Sequence, residues 1–300
     1  EKPDMETFLR EWTALVESKS GERGIFNRQA AQKQAAKNNR RDPNWEFGTN
    51  PCSEIILRGP KIDLKTGQPI TGTGGQFCNL SEVVVRATDD LKSLTNKVRL
   101  ATIIGTLQST LTKFPYLRKV WQNNTEEERL LGVSLTGIMD NPLLTAKNKG
   151  LAQTLDHLRL VAVDTNKEWA ERLGVQQSTA ITCVKPSGTV SQLVDSASGI
   201  HARHSQYYYR TVRGDNKDPI TQFMKDQGIP SELCVRKPDT TTVFTFPIAS
   251  PKNAVTRNDM TAIDQLEMWL TYQRHWCEHK PSVTITVLPD EWMEVGAFVY

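Results

Sequence analysis

Short apolar or β-branched runs recur along this chain, and stretches with helical spacing separate them. Ile55-Ile56-Leu57, Val83-Val84-Val85, Ala180 to Val184, Thr241 to Phe246 and Val283 to Val287 are the strand candidates. Phe8, Leu9, Trp12, Leu15 and Val16 fall at helical period, as do Leu91, Leu94, Val98, Ala101, Ile104, Leu107 and Leu111. A further long helix is expected over 150–173. Thr125 with Glu128 reads as a capping box opening a helix that runs into Leu135-Thr136-Gly137-Ile138-Met139. Strands separated by helices specify the α/β class. A length of 300 residues permits one large domain or two, and no repeat or low-complexity tract divides the chain.

Composition narrows the function classes. With 38% hydrophobic and 24% charged residues the balance is that of a soluble globular protein. A formal charge of +3 is too small to argue for direct DNA binding. No apolar run is long enough to span a bilayer, and the start is not a signal peptide. Five widely spread cysteines, an odd number, do not make a secreted disulfide framework, so a cytoplasmic, reducing setting is expected. The chain opens on Glu1 and stops at Phe298-Val299-Tyr300 within an apolar run, which reads as an internal fragment of a longer protein.

Two segments carry chemistry. In Asn50-Pro51-Cys52-Ser53-Glu54 a carboxamide, a thiol and a carboxylate alternate. If the segment is extended, all three side chains point one way, an arrangement suited to a vicinal diol; the structural alternative is a buried cysteine beside a capping glutamate. Phe77-Cys78-Asn79-Leu80 supplies a second thiol. Lys185-Pro186-Ser187-Gly188-Thr189-Val190-Ser191 follows a strand candidate and precedes the helical pattern Val190 to Val194. Free N–H groups and hydroxyls at such a helix start suit a phosphate, although an ordinary N-cap turn has the same pattern.

Other segments read more plainly. Arg28 to Arg41 is a solvated basic helix and loop. The Gly-rich excursion from Lys61 to Gln76 lacks G-x-G-x-x-G, so Gly72, Gly74 and Gly75 receive no nucleotide role. His275 and His279 have zinc-compatible spacing but no partner cluster, and Trp269, Leu270 and Trp276 point to one packed amphipathic helix, so no metal is assigned. Tyr207-Tyr208-Tyr209-Arg210 reads as a half-buried strand, and Cys183 and Cys234 as cysteines without chemical neighbours.

Taken together, these segments resemble the catalytic subunit of ribonucleotide reductases. Asn50-Pro51-Cys52-Ser53-Glu54 looks like the family's finger loop, spanning about 48–58. Phe77-Cys78-Asn79-Leu80-Ser81-Glu82 looks like its second redox cysteine. Pro186 to Ser191, continued by Ser198-Gly199-Ile200-His201, looks like its substrate-phosphate loop, about 185–191. Gln273-Arg274-His275-Trp276-Cys277-Glu278-His279-Lys280-Pro281-Ser282-Val283-Thr284 looks like the monomeric, adenosylcobalamin-dependent class II branch.

The resemblance implies a single catalytic domain over 1–300, part of a ten-stranded α/β barrel with the finger loop at its centre. It implies reduction of ribonucleoside triphosphates to 2′-deoxyribonucleotides with adenosylcobalamin as cofactor. Cys52 would carry the thiyl radical, Glu54 would be the base and Asn50 would bond the sugar. Cys78 would be one of two reducing thiols, its partner lying upstream of Glu1. Pro51, Ser53, Pro186, Ser187, Gly188, Thr189, Val190 and Ser191 would line the substrate. A thioredoxin-type dithiol would be the reductant, and deoxynucleoside triphosphates the effectors at a site mostly outside this chain. A class I diphosphate reductase remains open, and so does a Cys-nucleophile hydrolase with His201 or His204 activating Cys52. A third reading is a nucleotide-binding module that uses only 186–191.

Overall fold

The structure, a computed structural model, describes residues 2–21 and 24–300. In chain order the elements are α1 (Met5–Ser18), α2 (Arg28–Ala36), β1 (Trp45–Thr49), β2 (Ile56–Ile62), β3 (Pro69–Ile70), β4 (Asn79–Val84), α3 (Leu91–Gln108) and α4 (Lys119–Glu128). There follow β5 (Leu131–Thr136), α5 (Leu151–Leu173), β6 (Thr182–Cys183), α6 (Thr189–Leu193), β7 (Tyr207–Asp215), α7 (Pro219–Asp226), β8 (Ser231–Leu233), β9 (Thr241–Ala249), α8 (Ala262–His275) and α9 (Trp292–Val299). The α/β class expected from the sequence is what forms.

The centre is a parallel sheet in the order β4-β5-β6, with β5 buried along its whole length. Parallel strands need crossovers, and right-handed ones put both on one face of the sheet. Here α3 and α5 pack together on that face, with Val83, Val85, Leu131, Val133 and Leu135 beneath them. Each such side chain contributes about 1.5–3 kcal/mol on burial. Strand side chains alternate between faces, so the other face carries Cys78, Leu80 and Glu82, then Gly132, Ser134 and Thr136, then Cys183. The register aligns Leu80 with Gly132, and Glu82 with Ser134 and Cys183. One face is therefore an apolar core and the other is small and polar.

Two antiparallel sheets flank this centre, β1-β2-β3 and β7-β9-β8. In the first, Gly74 lies so close to Gly59 that a Cβ there would meet the Gly59 carbonyl carbon at 2.5 Å. The glycines of that excursion thus serve close backbone approach. In β7, Tyr207 and Tyr209 are exposed and Tyr208 is half-buried, the alternation of a strand with one covered face.

Several local expectations are corrected. Thr125 and Glu128 do not open a helix; they end α4, and Leu131–Thr136 is strand β5. The Thr125 hydroxyl accepts from the Phe77 N–H, and the Glu128 carboxylate is taken by arginines. Val283 to Val287 forms no strand among the described residues; only Pro281, just before it, makes an isolated parallel bridge, to Val184. The N–H groups of Thr284 and Thr286 donate instead to His201 Nε2 and Gln265 Oε1. Helix α8 ends at His275, so His275 and His279 do not share one packed helix. His275 Nδ1 meets Asp156, while His279 lies deep in the sheet edge. The basic stretch from Arg28 is solvated only in part: Arg41 is buried and gives two hydrogen bonds of 2.9 Å to Glu128.

That last contact belongs to a buried network. Glu128 also accepts from Gln76 Nε2 at 2.8 Å and pairs with Arg58 at 3.3 Å, and Gln76 Oε1 receives the Arg58 N–H. Removing the carboxylate would strand the buried Arg41 guanidinium, while Arg58 keeps its two bonds to Glu127, so Glu128→Gln should cost about 3–5 kcal/mol. The check is the midpoint of urea unfolding against the parent chain.

His279 closes the join between the first sheet and the centre. Its Nδ1 accepts from the Ile56 N–H at 3.2 Å, and its Nε2 donates to the Leu131 carbonyl at 2.9 Å. Burial, helped by the Arg41 charge, pushes its pKa down to about 3. The unfolded chain binds that proton near pH 6.5, so the unfolded state gains protons first on acidification. Stability from this site is therefore complete above about pH 6.5 and drains away as pH falls towards 3, by at most about 5 kcal/mol. His279→Gln should flatten that slope in unfolding curves taken across this range.

Candidate functional site

The segment between β1 and β2 is a turn, not an extended strand. Pro51 fixes its first corner, the Ser53 N–H donates to the Asn50 carbonyl at 2.9 Å, and Ser53 takes a left-handed φ of 62°. The Asn50 side-chain carbonyl caps the turn by accepting from the Ile55 N–H at 3.1 Å. The expected alternation of Asn50, Cys52 and Glu54 on one face is thus replaced by a fold-back, which separates Cys52 and Glu54 by depth. Cys52 is exposed, whereas Glu54 is wholly buried. The Ser53 hydroxyl lies 3.3 Å from that of Thr49, and Pro51 is exposed.

The segment after His279 holds the turn from outside. Lys280 Nζ donates to the Ser53 carbonyl and Ser282 Oγ to the Cys52 carbonyl, each at 2.6 Å. The Lys280 N–H reaches the Glu54 carbonyl at 3.2 Å. Burial holds the Lys280 ammonium below its ordinary pKa.

Lys185 joins the two functional groups of the turn. Its Nζ lies 3.6 Å from Cys52 Sγ and 3.6 Å from Glu54 Oε1. Neither Glu54 oxygen has a hydrogen-bond partner, so Lys185 is its ion-pair partner among the described residues. Burial works against the Lys185 charge, but Glu54 and Cys52 outweigh it and raise its pKa above the ordinary lysine value. Lys185 is placed by β6, where its N–H donates to Ser134 Oγ on β5 at 2.8 Å. Sequence reasoning named this lysine only as the start of a loop. The available signal was its position directly after a buried strand.

Cys78 sits just before β4 on the polar face. A Cβ on Gly132 would lie 2.4 Å from Leu80, 2.9 Å from Ile55 and 3.3 Å from Cys78 Sγ, so the glycine makes room where the turn meets the sheet. Burial, reinforced by the Glu54 charge, raises the Cys78 pKa far above the ordinary thiol value, and it stays a thiol at neutral pH. Cys183 is not isolated as expected: it feels Cys78, Cys277, Glu54 and Lys185, and burial raises its pKa too. Cys234 follows β8 in the outlying sheet.

In the 186–191 loop the hydroxyls divide. Ser187 Oγ donates to Glu82 Oε2 at 2.9 Å, and Ser191 Oγ donates inward to the Ser187 and Gly188 carbonyls. Burial raises the Glu82 pKa, and its Oε1 has no partner. Gly188, Thr189 and Val190 are exposed at the start of α6, which has no side-chain cap. Of the residues expected to line a substrate, Ser187 and Ser191 therefore brace the loop and Gly188 to Val190 face outward; Pro186, half-buried, leads into them.

The hydrolase reading needs a histidine on Cys52. His201 instead spends Nδ1 on the Ser198 carbonyl at 2.8 Å and Nε2 on the Thr284 N–H at 3.0 Å. The His204 ring packs edge-on against Tyr208. The group at Cys52 is an ammonium, which also removes the reading in which nothing polar gathers around that thiol.

No family model matches the chain. Among curated proteins it is similar to the adenosylcobalamin-dependent ribonucleoside-triphosphate reductase of Euglena gracilis, 28% identical over 272 residues. That alignment covers 89% of this chain and 34% of the relative. The enzyme of the same name from Lactobacillus gasseri is 27% identical, with 84% and 35% covered, and that from Lacticaseibacillus paracasei is 26% identical, with 95% and 40% covered. The chain thus spans about a third of the length of these relatives. A crystal structure of a B12-dependent (class II) ribonucleotide reductase superposes with a TM-score of 0.70 at 24% identity, over 85% of this chain and 37% of that one, a likeness of fold. Over the third of their length that it spans, the chain is similar to adenosylcobalamin-dependent ribonucleoside-triphosphate reductases.

Proposed function

We propose that this chain carries the catalytic turn of a radical enzyme that reduces ribonucleoside triphosphates to 2′-deoxyribonucleotides for DNA synthesis. The observation that carries the reading is that Lys185 Nζ lies 3.6 Å from both exposed Cys52 and buried Glu54, with Cys78 near enough to feel the Glu54 charge. In this reading the polar sheet face is the inner wall of a ten-stranded barrel, and the 50–54 turn is its central finger. The whole chain is then one catalytic domain in a cytoplasmic enzyme.

The residues fit the cofactor named for the relatives: Cys52 is the exposed member of the cysteine set, and so is open to a bulky group. When bound, adenosylcobalamin supplies the one-electron oxidation of a thiol. The resulting Cys52 thiyl takes the 3′-hydrogen of the ribose. Glu54 removes the 3′-hydroxyl proton as general base, the 2′-hydroxyl leaves as water with a proton from the Cys78 thiol pair, and Cys52 and Glu54 finally return the hydrogen to C3′ and the proton to O3′. The Asn50 Nδ2, left free when its carbonyl caps the turn, donates to the sugar oxygens. Cys78 and a partner thiol provide two electrons and two protons and end as a disulfide. The raised Cys78 pKa suits this role, because a thiol can give a hydrogen atom and a thiolate cannot. Pro51 and Ser53 shape the sugar side. The exposed N–H groups of Gly188, Thr189 and Val190, braced by Pro186, Ser187 and Ser191, take the phosphates. A thioredoxin-type dithiol returns the disulfide to thiols, and deoxynucleoside triphosphates act as effectors.

In the protein extended to the length of its relatives, Cys52→Ser should abolish reduction, because a serine O–H bond is too strong to yield a usable radical. Cys78→Ser should still consume nucleotide and release free base without forming deoxynucleotide. Glu54→Gln should slow turnover by about 10²–10⁴-fold. Product analysis of adenosylcobalamin-dependent turnover decides: full activity of Cys52→Ser removes that thiol from the mechanism, and turnover without cobalamin points to a class I enzyme.

A further inference from the structure

On the other side of the 192–204 segment lies a cavity of about 300 Å³, and Cys52, Glu54, Cys78 and Ser187 take no part in its lining. We propose that this cavity is a second anion site, which takes a phosphate group, free or carried by a small nucleotide, between Arg210, Arg257 and Ser196.

Charge is the first argument. Arg210 and Arg257 both line the cavity, and neither guanidinium has a carboxylate partner among the described residues. No aspartate or glutamate is in the lining. Arg203, in the same wall, is a different case. Asp140 accepts from it twice, at 2.8 and 2.9 Å, and Asp195 at 3.0 Å, so its charge is already neutralised. The surplus positive charge therefore comes from the two free arginines, whose planar forks match a phosphate bidentately.

Ser196 is the second, independent observation. It is 5% exposed, its Oγ has no hydrogen-bond partner, and it lines the cavity. Buried hydroxyls are ordinarily paired. The oxygen itself is closed off, so a bound oxyanion would supply the missing acceptor once the side chain turns towards the cavity.

The remaining wall suits the carrier of such a group. The His204 and Tyr208 rings meet edge-on with centroids 5.6 Å apart, and the Arg210 guanidinium lies 5.8 Å from the Tyr208 ring centroid. These give a planar group a surface to stack on, and the volume is at the lower end of small-molecule sites.

Calorimetric titration of the chain with inorganic pyrophosphate, and separately with adenosine 5′-monophosphate, tests the proposal. A saturable binding component is expected that Arg210→Gln and Arg257→Gln each weaken about tenfold or more, distinct from any occupation of the 186–191 loop. Both side chains lie at the surface or half-exposed, so folding should survive. Ser196→Ala should move two readouts in opposite directions: it raises the melting temperature of the ligand-free protein and weakens binding severalfold. Tighter binding of adenosine 5′-monophosphate identifies a nucleotide ligand, and equal binding identifies phosphate alone. Absence of saturable binding by either probe at millimolar concentration overturns the proposal, as does binding that both arginine variants leave intact.

Discussion

The parallel pairing of β5 between β4 and β6 is the constraint from which the site follows. A strand hydrogen-bonded on both sides, with period-two side chains, separates two environments by a single backbone thickness. Leu131, Val133 and Leu135 are committed to the α3–α5 core, which leaves Gly132, Ser134 and Thr136 on the opposite face. Each of these has a task there. Gly132 admits Cys78 and Ile55, Ser134 takes the Lys185 N–H, and Thr136 ties down residues 197 and 199. Because register is fixed by the apolar face, a slip of one residue would exchange core and site. The precision of the polar face is thus inherited from packing on the other side.

Electrostatics then sets what this face can do. A wholly buried carboxylate with no hydrogen bond is costly unless a counter-charge is near, and Lys185 is that counter-charge. Because the same ammonium also approaches Cys52, the exposed thiol and the buried acid are coupled through one flexible side chain. Cys78, lying on the Glu54 side, is instead held as a neutral thiol. The two cysteines consequently face different environments, one exposed and beside a cation, the other half-buried and near an anion. The roles proposed for Cys52 and Cys78, hydrogen-atom acceptor and reducing thiol, would use that difference.

Much of this was legible in the sequence, in proportion to how local its causes are. Helices α1, α3 and α5 fell where apolar spacing put them, because helical period is a property of one segment. The chemical residues of the 50–54 and 185–191 segments were visible as unusual residue types in close order. The turn itself was misread, since alternation along Asn50–Glu54 presumes an extended backbone, whereas Pro51 and the left-handed Ser53 fold it back. The capping reading of Thr125 and Glu128 failed for a long-range reason: Arg41, Arg58 and Gln76 claim Glu128, and none is near it in sequence. Lys185 was passed over likewise, because its partners come from a segment more than a hundred residues away.

The extended segment from Lys280 to Thr286 shows how such distant pieces become one apparatus. Its side chains at Lys280 and Ser282 grip the Ser53 and Cys52 carbonyls, while its N–H groups at Thr284 and Thr286 bond His201 and Gln265 in the wall of the second cavity. The Ser282 N–H meanwhile bonds the Val184 carbonyl, next to Lys185. A segment whose N–H groups go partly to backbone carbonyls at Glu54 and Val184 and partly to the His201 and Gln265 side chains gains no continuous ladder, yet it cannot shift without stretching several of these bonds together. The Cys52 turn, Lys185 and the cationic cavity are therefore set relative to one another by a single strap.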